Sequence, residues 1–191
     1  MSVVRRYVVT GAPGAGKTAL VDGLGRREVA VVAEAATDVI AALQGEGVEE
    51  PWAGEDFCER IAAVQRDRQL AVVDGSVAVQ VFDRSPLCTV ALARYLGRPV
   101  GPLLAAEVDR VLHAQVYEPV AFLVRPLGFV EPTAARRISY AESLVFERIH
   151  EAVYREHGFR LLEVPAAPVV DRVDFVVSRI EELRTVSLPW L

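Results

Sequence analysis

A glycine-rich stretch near the start of the sequence constrains the chain more than any other feature. Residues 11–18 read Gly-Ala-Pro-Gly-Ala-Gly-Lys-Thr, which fits the pattern G-x-x-x-x-G-K-[ST]. An apolar, β-branched run precedes the stretch and an apolar-periodic segment follows it, as expected for a buried strand and a helix. Glycine lets the backbone turn so that successive N–H groups converge on phosphate oxygens beside the helix N-terminus. The stretch therefore predicts a phosphate-binding loop, the P-loop.

This pattern also predicts what individual residues of the loop do. Lys17 should reach the β- and γ-phosphates of a nucleotide, and the Thr18 hydroxyl should ligate Mg²⁺. Lys17 is the only lysine among the twenty-one Lys and Arg residues, and a compact ammonium suits a cramped phosphate site better than a planar guanidinium does. The predicted nucleotide contacts are the loop and the first helical residues: Gly11, Ala12, Pro13, Gly14, Ala15, Gly16, Lys17, Thr18 and Ala19.

Length and charge limit the class of protein. A chain of 191 residues with 52% hydrophobic and 25% charged residues is typical of one globular domain with a full core. The net charge of −5 argues against broad binding to nucleic acid, and no apolar run reaches transmembrane length. Cys58 and Cys88 form no metal-binding motif and are predicted to be reduced core residues. We expect a single cytoplasmic domain over residues 1–191 without membrane contact; a homodimer remains one alternative for its assembly.

Strand-like and helical segments alternate along the chain. The predicted strands cover residues 5–10, 28–33, 77–82, 120–124 and 161–164, and helices fill the intervals. This alternation predicts an α/β fold with right-handed crossovers and a mainly parallel sheet. Ligands of such sheets bind beyond the carboxyl ends of the strands. The charged residues at those ends, Glu34, Asp83 and Arg84, are therefore candidates for a site.

Each of these three residues has a functional and a structural interpretation. Asp83 follows an apolar run, as a Walker-B acid that holds Mg²⁺ would, although an acid there could also cap the next helix, a position that Ser85 fits. Arg84 faces the phosphoryl acceptor or pairs with Asp83 or Glu34. Glu34 is either a base for an acceptor hydroxyl or an ordinary acid at a helix start.

A lid is predicted at about residues 125–140. Arg136 and Arg137 fall in the first turn of a helical stretch, where cations oppose the helix macrodipole. A bound anion would reverse that repulsion, so the two arginines are candidates for closing over the nucleotide phosphates. The alternative is a solvated arginine pair.

Two further groups of polar residues favour a structural interpretation. Gln65, Arg68 and Gln69 share one face of a predicted long helix, and a solvated face accounts for them better than substrate recognition does. The three histidines form no ligand cluster and are interpreted as structural or surface residues: His113, His150 and His157.

The chain resembles a known family at four places. These are residues 8–18, residues 31–36, the step Phe82-Asp83-Arg84-Ser85 and the fifth strand, which Pro165 ends. Together they resemble the small AAA-domain family of P-loop ATPases and kinases, which is similar to the ribosylnicotinamide kinase domain of NadR-type proteins. The Asp-Arg-Ser step also resembles deoxynucleoside and nucleoside-monophosphate kinases.

This resemblance implies a P-loop NTPase fold of the NMP-kinase-like type, a parallel five-stranded sheet in the order 2-3-1-4-5 flanked by helices. It implies ATP and Mg²⁺ as cofactors, a small-molecule acceptor in a cleft facing Glu34, and a nucleotide contact near Pro165. It specifies the phosphoryl donor better than the acceptor.

Two functions are compatible with these features. One is a kinase that phosphorylates a small hydroxylated metabolite, which the resemblance suggests is nucleoside-like. The other is a regulatory ATPase or switch without such an acceptor. A GTPase is disfavoured because its guanine-reading N-K-x-D motif needs an asparagine and a second lysine, and the sequence contains neither. Dependence of ATP turnover on an added small molecule distinguishes the two functions.

Overall fold

The β-branched apolar runs form a parallel sheet. The computed structural model describes residues 4–27, 29–71, 74, 76–128 and 138–185. Its strands are β1 (Arg5–Thr10), β2 (Ala30–Val32), β3 (Val79–Asp83), β4 (Val120–Val124) and β5 (Arg160–Val164). They pair in the order β2-β3-β1-β4-β5, and every pairing is parallel. The predicted fold class and strand order are confirmed.

Helices cover both faces of the sheet. They are α1 (Lys17–Gly25), α2 (Ala35–Gly45), α3 (Phe57–Leu70), α4 (Pro86–Tyr95), α5 (Pro102–His113), α6 (Tyr140–Glu156) and α7 (Val169–Thr185), with a short 3-10 helix at Pro51–Ala53. None of those helices, over the ranges given above, has the length and apolar character that crossing a membrane requires.

Strand β2 is shorter than its apolar run predicted. The run suggested residues 28–33; of the described residues 29–33, only Ala30–Val32 pair with β3, and residue 28 lies outside the described residues. The strand lies at the edge of the sheet, where pairing on one side only supports a short strand. The carbonyl of the next residue, Ala33, accepts a hydrogen bond from the Arg68 side chain at 2.7 Å instead.

The core lies on both faces of the central strand, as expected for a parallel sheet. Val8 of β1 packs with α4, α5 and α6 on one face. Its neighbours Tyr7 and Val9 pack with α1 and α7 on the other, because successive strand side chains point to opposite faces. Cys58 and Cys88 are buried free thiols, as predicted.

The register of the sheet brings the ends of β1 and β3 together. Val9 on β1 pairs with Asp83 on β3 and with Phe122 on β4. The backbone N–H of Arg84, just beyond β3, donates to the Val9 carbonyl at 3.0 Å. The glycine-rich loop that follows β1 therefore lies directly beside the Asp83-Arg84 step.

Candidate functional site: a phosphate-binding loop and an acidic step

The loop between β1 and α1 depends on glycine at three positions. Gly11, Gly14 and Gly16 adopt φ values of 132°, 85° and 78°, in the region that other residues rarely enter. Gly11 is also crowded, because a Cβ there would lie 2.6 Å from the Val124 carbonyl oxygen of β4. The loop thus packs against the sheet as it turns into α1.

Lys17 folds back over this loop. It is the first residue of α1 and is buried. Its Nζ donates a hydrogen bond of 2.7 Å to the Ala12 carbonyl. Burial and the nearby charge of Arg84 lower the pKa of Lys17 to about 8, against the attraction of Asp83 and Glu34. The ammonium is therefore predominantly charged at neutral pH and lies where the sequence motif predicts phosphate.

Asp83 has an unsatisfied oxygen beside the loop. The residue is buried, and among the described residues its Oδ1 has no hydrogen-bond partner. Burial raises the pKa of its carboxyl, although the charges of Lys17 and Arg84 oppose the shift. A buried carboxylate oxygen without a hydrogen-bond partner is typical of a site that binds an ion or a water molecule. Mg²⁺ prefers oxygen ligands. The residue fits the predicted metal role.

Thr18 fits the same role less directly. It is exposed at the second position of α1, so its hydroxyl is accessible to a ligand of the loop. In the described part of the chain no three His, Cys, Asp or Glu residues lie together so as to hold a metal. A magnesium ion at Asp83 and Thr18 would therefore take most of its ligands from phosphate and water, as Mg²⁺ at nucleotide sites does.

Arg84 is held by three parts of the chain. Its Nε donates to Glu34 Oε1, at the start of α2. Its Nη1 lies 3.4 Å from the Gly11 carbonyl oxygen and 3.3 Å from His150 Nε2 on α6. Of the structural alternatives, the ion pair with Glu34 is the one observed. The backbone of Arg84 has φ of 77°, a conformation that costs about 1–2 kcal/mol for a non-glycine residue.

Glu34 is ionised at neutral pH. Burial opposes its charge, but Arg84, Lys17 and a hydrogen bond from Thr37 outweigh that effect and hold the pKa of the carboxyl at about 2. Glu34 occupies the N-cap position of α2, yet its side chain makes no capping hydrogen bond. Its carboxylate contacts Thr37 in the first turn of α2 and also Arg84, so Glu34 stands at the helix start, as the structural interpretation has it, and forms an ion pair as well.

His150 belongs to the site although sequence reasoning assigned it no role there. Its Nδ1 lies 2.9 Å from the Phe146 carbonyl oxygen, which requires the proton on Nδ1 and leaves Nε2 to accept from Arg84. Burial, followed by the charge of Arg84, lowers the pKa of His150 to about 3, so the ring is neutral. A capping box between Ser139 and Glu142 starts α6 and sets the phase of the helix. No sequence motif indicates this contact, because Arg84 and His150 lie 66 positions apart in sequence.

The solvated-face interpretation of α3 is wrong for two glutamines. Gln65 and Gln69 are buried. Gln65 donates to the Ser85 carbonyl at 3.2 Å and accepts from the Thr89 hydroxyl at 2.9 Å. Tertiary packing of α3 against α4 buries a face that looks polar in sequence.

Ser85 caps α4 by position but not by hydrogen bond. It precedes Pro86, the first residue of α4, without a side-chain capping bond. Its hydroxyl lies 2.7 Å from the Tyr154 hydroxyl of α6 instead. The Ser-Pro pair therefore starts the helix as predicted, while the serine side chain links α4 to α6.

The remaining predicted site residues have different outcomes. Gly11, Ala12 and Ala15 are buried in the loop, whereas Pro13 is partly exposed and Ala19 exposed. Pro165 is exposed directly after β5. Arg136 and Arg137 lie outside the described residues, so their predicted role in a lid stays a prediction.

The space beside the acidic step is narrow. A cavity of about 10 Å³ lies there, bordered by Gln65, Arg68, Asp83 and Arg84 among others. Such a volume holds about one water molecule. Arg68 helps to close it through bonds to the Ala33 carbonyl and the Asp38 carboxylate.

Two solved structures share this fold at low sequence identity. Deoxyadenosine kinase from M. mycoides, with the products dCMP and dCDP, is 13% identical with a TM-score of 0.57, over 93% of this chain and 99% of that one. The NadR protein in complex with NR is 17% identical with a TM-score of 0.68 over 98% of this chain. The chain spans about half of NadR, 53% of its length.

The sequence itself identifies the family. No curated protein matches the chain significantly. A family model described as "AAA domain" matches residues 6–172, which include the loop, the acidic step and the first residues of α7. Because this match covers most of the sequence, the chain belongs to the AAA domain family that the model describes.

Proposed function

We propose that the protein is an ATP- and Mg²⁺-dependent kinase that phosphorylates a hydroxyl of a small, nucleoside-like metabolite. The observation that carries the proposal is the Glu34–Arg84 pair beside the phosphate-binding loop. A switch that only binds ATP needs the loop and a metal-binding acid, but it has no need for a second carboxylate that orients a nucleophile. The similarity in fold to a deoxyadenosine kinase and to NadR with NR supports the same class of acceptor.

The loop and Lys17 bind the donor phosphates in this proposal. The backbone N–H groups of the loop and the N-terminus of α1 attract anions. Lys17 exchanges its bond to the Ala12 carbonyl for phosphate oxygens, and the phosphate charge favours its protonated form. Asp83 and Thr18 would hold Mg²⁺, which would supply positive charge to offset that of the phosphates.

Glu34 and Arg84 orient the acceptor. The ionised Glu34 carboxylate accepts a hydrogen bond from the acceptor hydroxyl and takes its proton as the reaction proceeds. The hydroxyl oxygen forms a bond to the γ-phosphorus while the bond from that phosphorus to the β,γ-bridging oxygen breaks, which leaves ADP. Arg84 keeps the carboxylate in place, and orientation of this kind contributes much of the rate in phosphoryl transfer.

The test follows ATP and Mg²⁺ by phosphorus NMR against a panel of nucleosides, nucleotides and other hydroxylated metabolites. The kinase proposal expects a new phosphomonoester or phosphoanhydride signal with one class of acceptor. Glu34→Gln should abolish that signal while ATP binding persists, and Glu49→Gln, at an exposed acid beyond α2, serves as the matched control.

Slow hydrolysis to ADP and phosphate that no acceptor accelerates and that Glu34→Gln leaves unchanged would contradict the kinase proposal. That result would assign the chain to the regulatory ATPases instead. ATP binding by both variants, checked by calorimetry, shows that any loss of signal arises at the acceptor.

A further inference from the structure

A buried arginine lies beneath the phosphate-binding loop. Arg172, the fourth residue of α7, is only 3% exposed. Its Nη1 donates a hydrogen bond of 2.8 Å to the carbonyl of Ala15. No sequence motif singled it out, because it lies 155 positions beyond Lys17 in sequence and only the fold brings α7 to the loop.

Arg172 differs from two less buried arginines, Arg84 and Arg125, in having no acidic partner among the described residues. Arg84 pairs with Glu34, and Arg125 pairs with Glu147, Glu151 and Glu163. Within the described residues Arg172 makes no ion pair, and its Nε has no hydrogen-bond partner. A guanidinium keeps its charge at neutral pH, so burial without a counter-charge is unfavourable. The fold retains a charge here that no side chain among the described residues balances.

The hydrogen bond from Arg172 fixes the orientation of the Ala15–Gly16 peptide in the loop. In a trans peptide the carbonyl of Ala15 and the N–H of Gly16 point to opposite sides. By holding the carbonyl on the α7 side, Arg172 turns the Gly16 N–H away from α7, toward the side on which the loop receives phosphate. Gly16 has φ of 78°, and a Cβ there would lie 2.9 Å from Nη2 and 3.0 Å from Nη1 of Arg172. The guanidinium therefore lies directly against the loop backbone.

We propose that Arg172 is a positioning residue of the phosphate site. It holds the Ala15–Gly16 peptide in the orientation that binds phosphate, and the anionic phosphates of the nucleotide balance its buried charge. The proposal rests on the nucleotide binding proposed above. It assigns to α7 a part in phosphate recognition, distinct from contact with the nucleobase.

The experiment compares Arg172→Met with Arg179→Met. Methionine approximates the length of the buried side chain without its charge, and Arg179 is a matched control because it lies on the same helix but is exposed and pairs with Glu182. Calorimetry measures the Kd of ATP and of inorganic tripolyphosphate, and thermal unfolding without ligand measures the Tm.

Arg172→Met should weaken both ligands equally, on the order of tenfold or more, as loss of a charge-assisted contact does. Its Tm without ligand should stay the same or rise, because replacing an unbalanced buried charge with an apolar side chain is often neutral or stabilising. Arg172→Lys, which keeps the charge but not the planar fork, should recover part of the affinity. Arg179→Met should leave both affinities unchanged.

Three outcomes would overturn the inference. Unchanged affinity for tripolyphosphate in Arg172→Met would separate Arg172 from the phosphate site. Weaker binding of ATP alone would mean that the arginine acts on the base or sugar. A large drop in the ligand-free Tm, with Arg172→Lys restoring Tm and affinity together, would make it a purely structural residue. If the wild-type protein bound neither ligand, the proposed function would fall first, and the inference with it.

Discussion

At the scale of one residue, the lowered pKa of the Lys17 amine makes ATP binding depend on pH. Burial and the charge of Arg84 lower the pKa of Lys17 from 10.5 to about 8. Bound phosphates favour the protonated form, so the complex takes up a proton when ATP binds above pH 8. The Kd of ATP should therefore rise with pH above about 8, approaching about tenfold for each pH unit. Calorimetry across this range measures the slope.

Lys17→Met removes the titrating group and provides the control. Its affinity for ATP should be lower at neutral pH and nearly independent of pH between about 8 and 10. The stability of the ligand-free protein should show the opposite trend to binding. The unfolded chain keeps the lysine proton up to about 10.5, so the buried charge destabilises the fold below pH 8 and this cost disappears as pH rises from 8 to 10.5. A wild-type ATP affinity that did not change above pH 8 would contradict the assignment of Lys17.

At the scale of elements, the loop between β1 and α1 requires glycine at position 11. Gly11→Ala places a Cβ 2.6 Å from the backbone carbonyl oxygen of Val124 in β4, and residue 11 has a φ of 132°. Neither the loop nor β4 can move without disturbing the sheet. We expect a loss of at least about 2 kcal/mol in the free energy of unfolding. Gly47→Ala is the matched control, because Gly47 also has positive φ but no atom lies within 4 Å of its added Cβ. It should cost about 1 kcal/mol, the lower end of the strain expected for a non-glycine residue at positive φ, measured by urea denaturation.

Helix α6 reaches the site through His150. His150→Phe preserves the packing of an aromatic ring against Phe146 but removes the acceptor for Arg84. We expect kcat to fall about tenfold, as for loss of a hydrogen bond to a charged group, while the Kd of ATP changes little. His113→Phe, at an exposed position of α5, is the control and should leave kcat unchanged. A His150→Phe enzyme with normal kcat would mean that Arg84 is held sufficiently by its other contacts.

Local signals accounted for most of the architecture. The strands and their parallel arrangement follow from apolar runs, glycines and the loop motif around Lys17, because each depends on neighbours in sequence. The strand order came from the family resemblance. The contact of Arg84 with His150, the burial of Gln65 and the link from Ser85 to Tyr154 depend on elements that only the fold brings together. Arg172 is the extreme case, since an arginine on an amphipathic helix gives no sign in sequence of where its guanidinium lies.

At the scale of the whole molecule, ligand binding should raise the free energy of unfolding and the Tm. At an ATP concentration about 100-fold above Kd, binding stabilises the native state by about 2.7 kcal/mol, which corresponds to a Tm shift of roughly 5 to 10 °C for a chain of this size. Mg²⁺ should enlarge the shift in the wild type. Asp83→Asn should lose that increment, and Asp67→Asn, at an exposed position of α3, should keep it. An identical Mg²⁺ effect in both variants would remove Asp83 from the metal site.

Because Lys17 is the only lysine, reagents that acylate side-chain amines can modify the chain at one side chain alone. Within these 191 residues an acylating reagent finds one side-chain amine, and it is the one that lies over the phosphate-binding loop. With its pKa near 8, a substantial fraction of that amine is nucleophilic in mildly alkaline buffer, although its burial restricts access. The rate of labelling therefore reports how often the loop opens, and the protection that ATP provides reports how fully the loop is occupied.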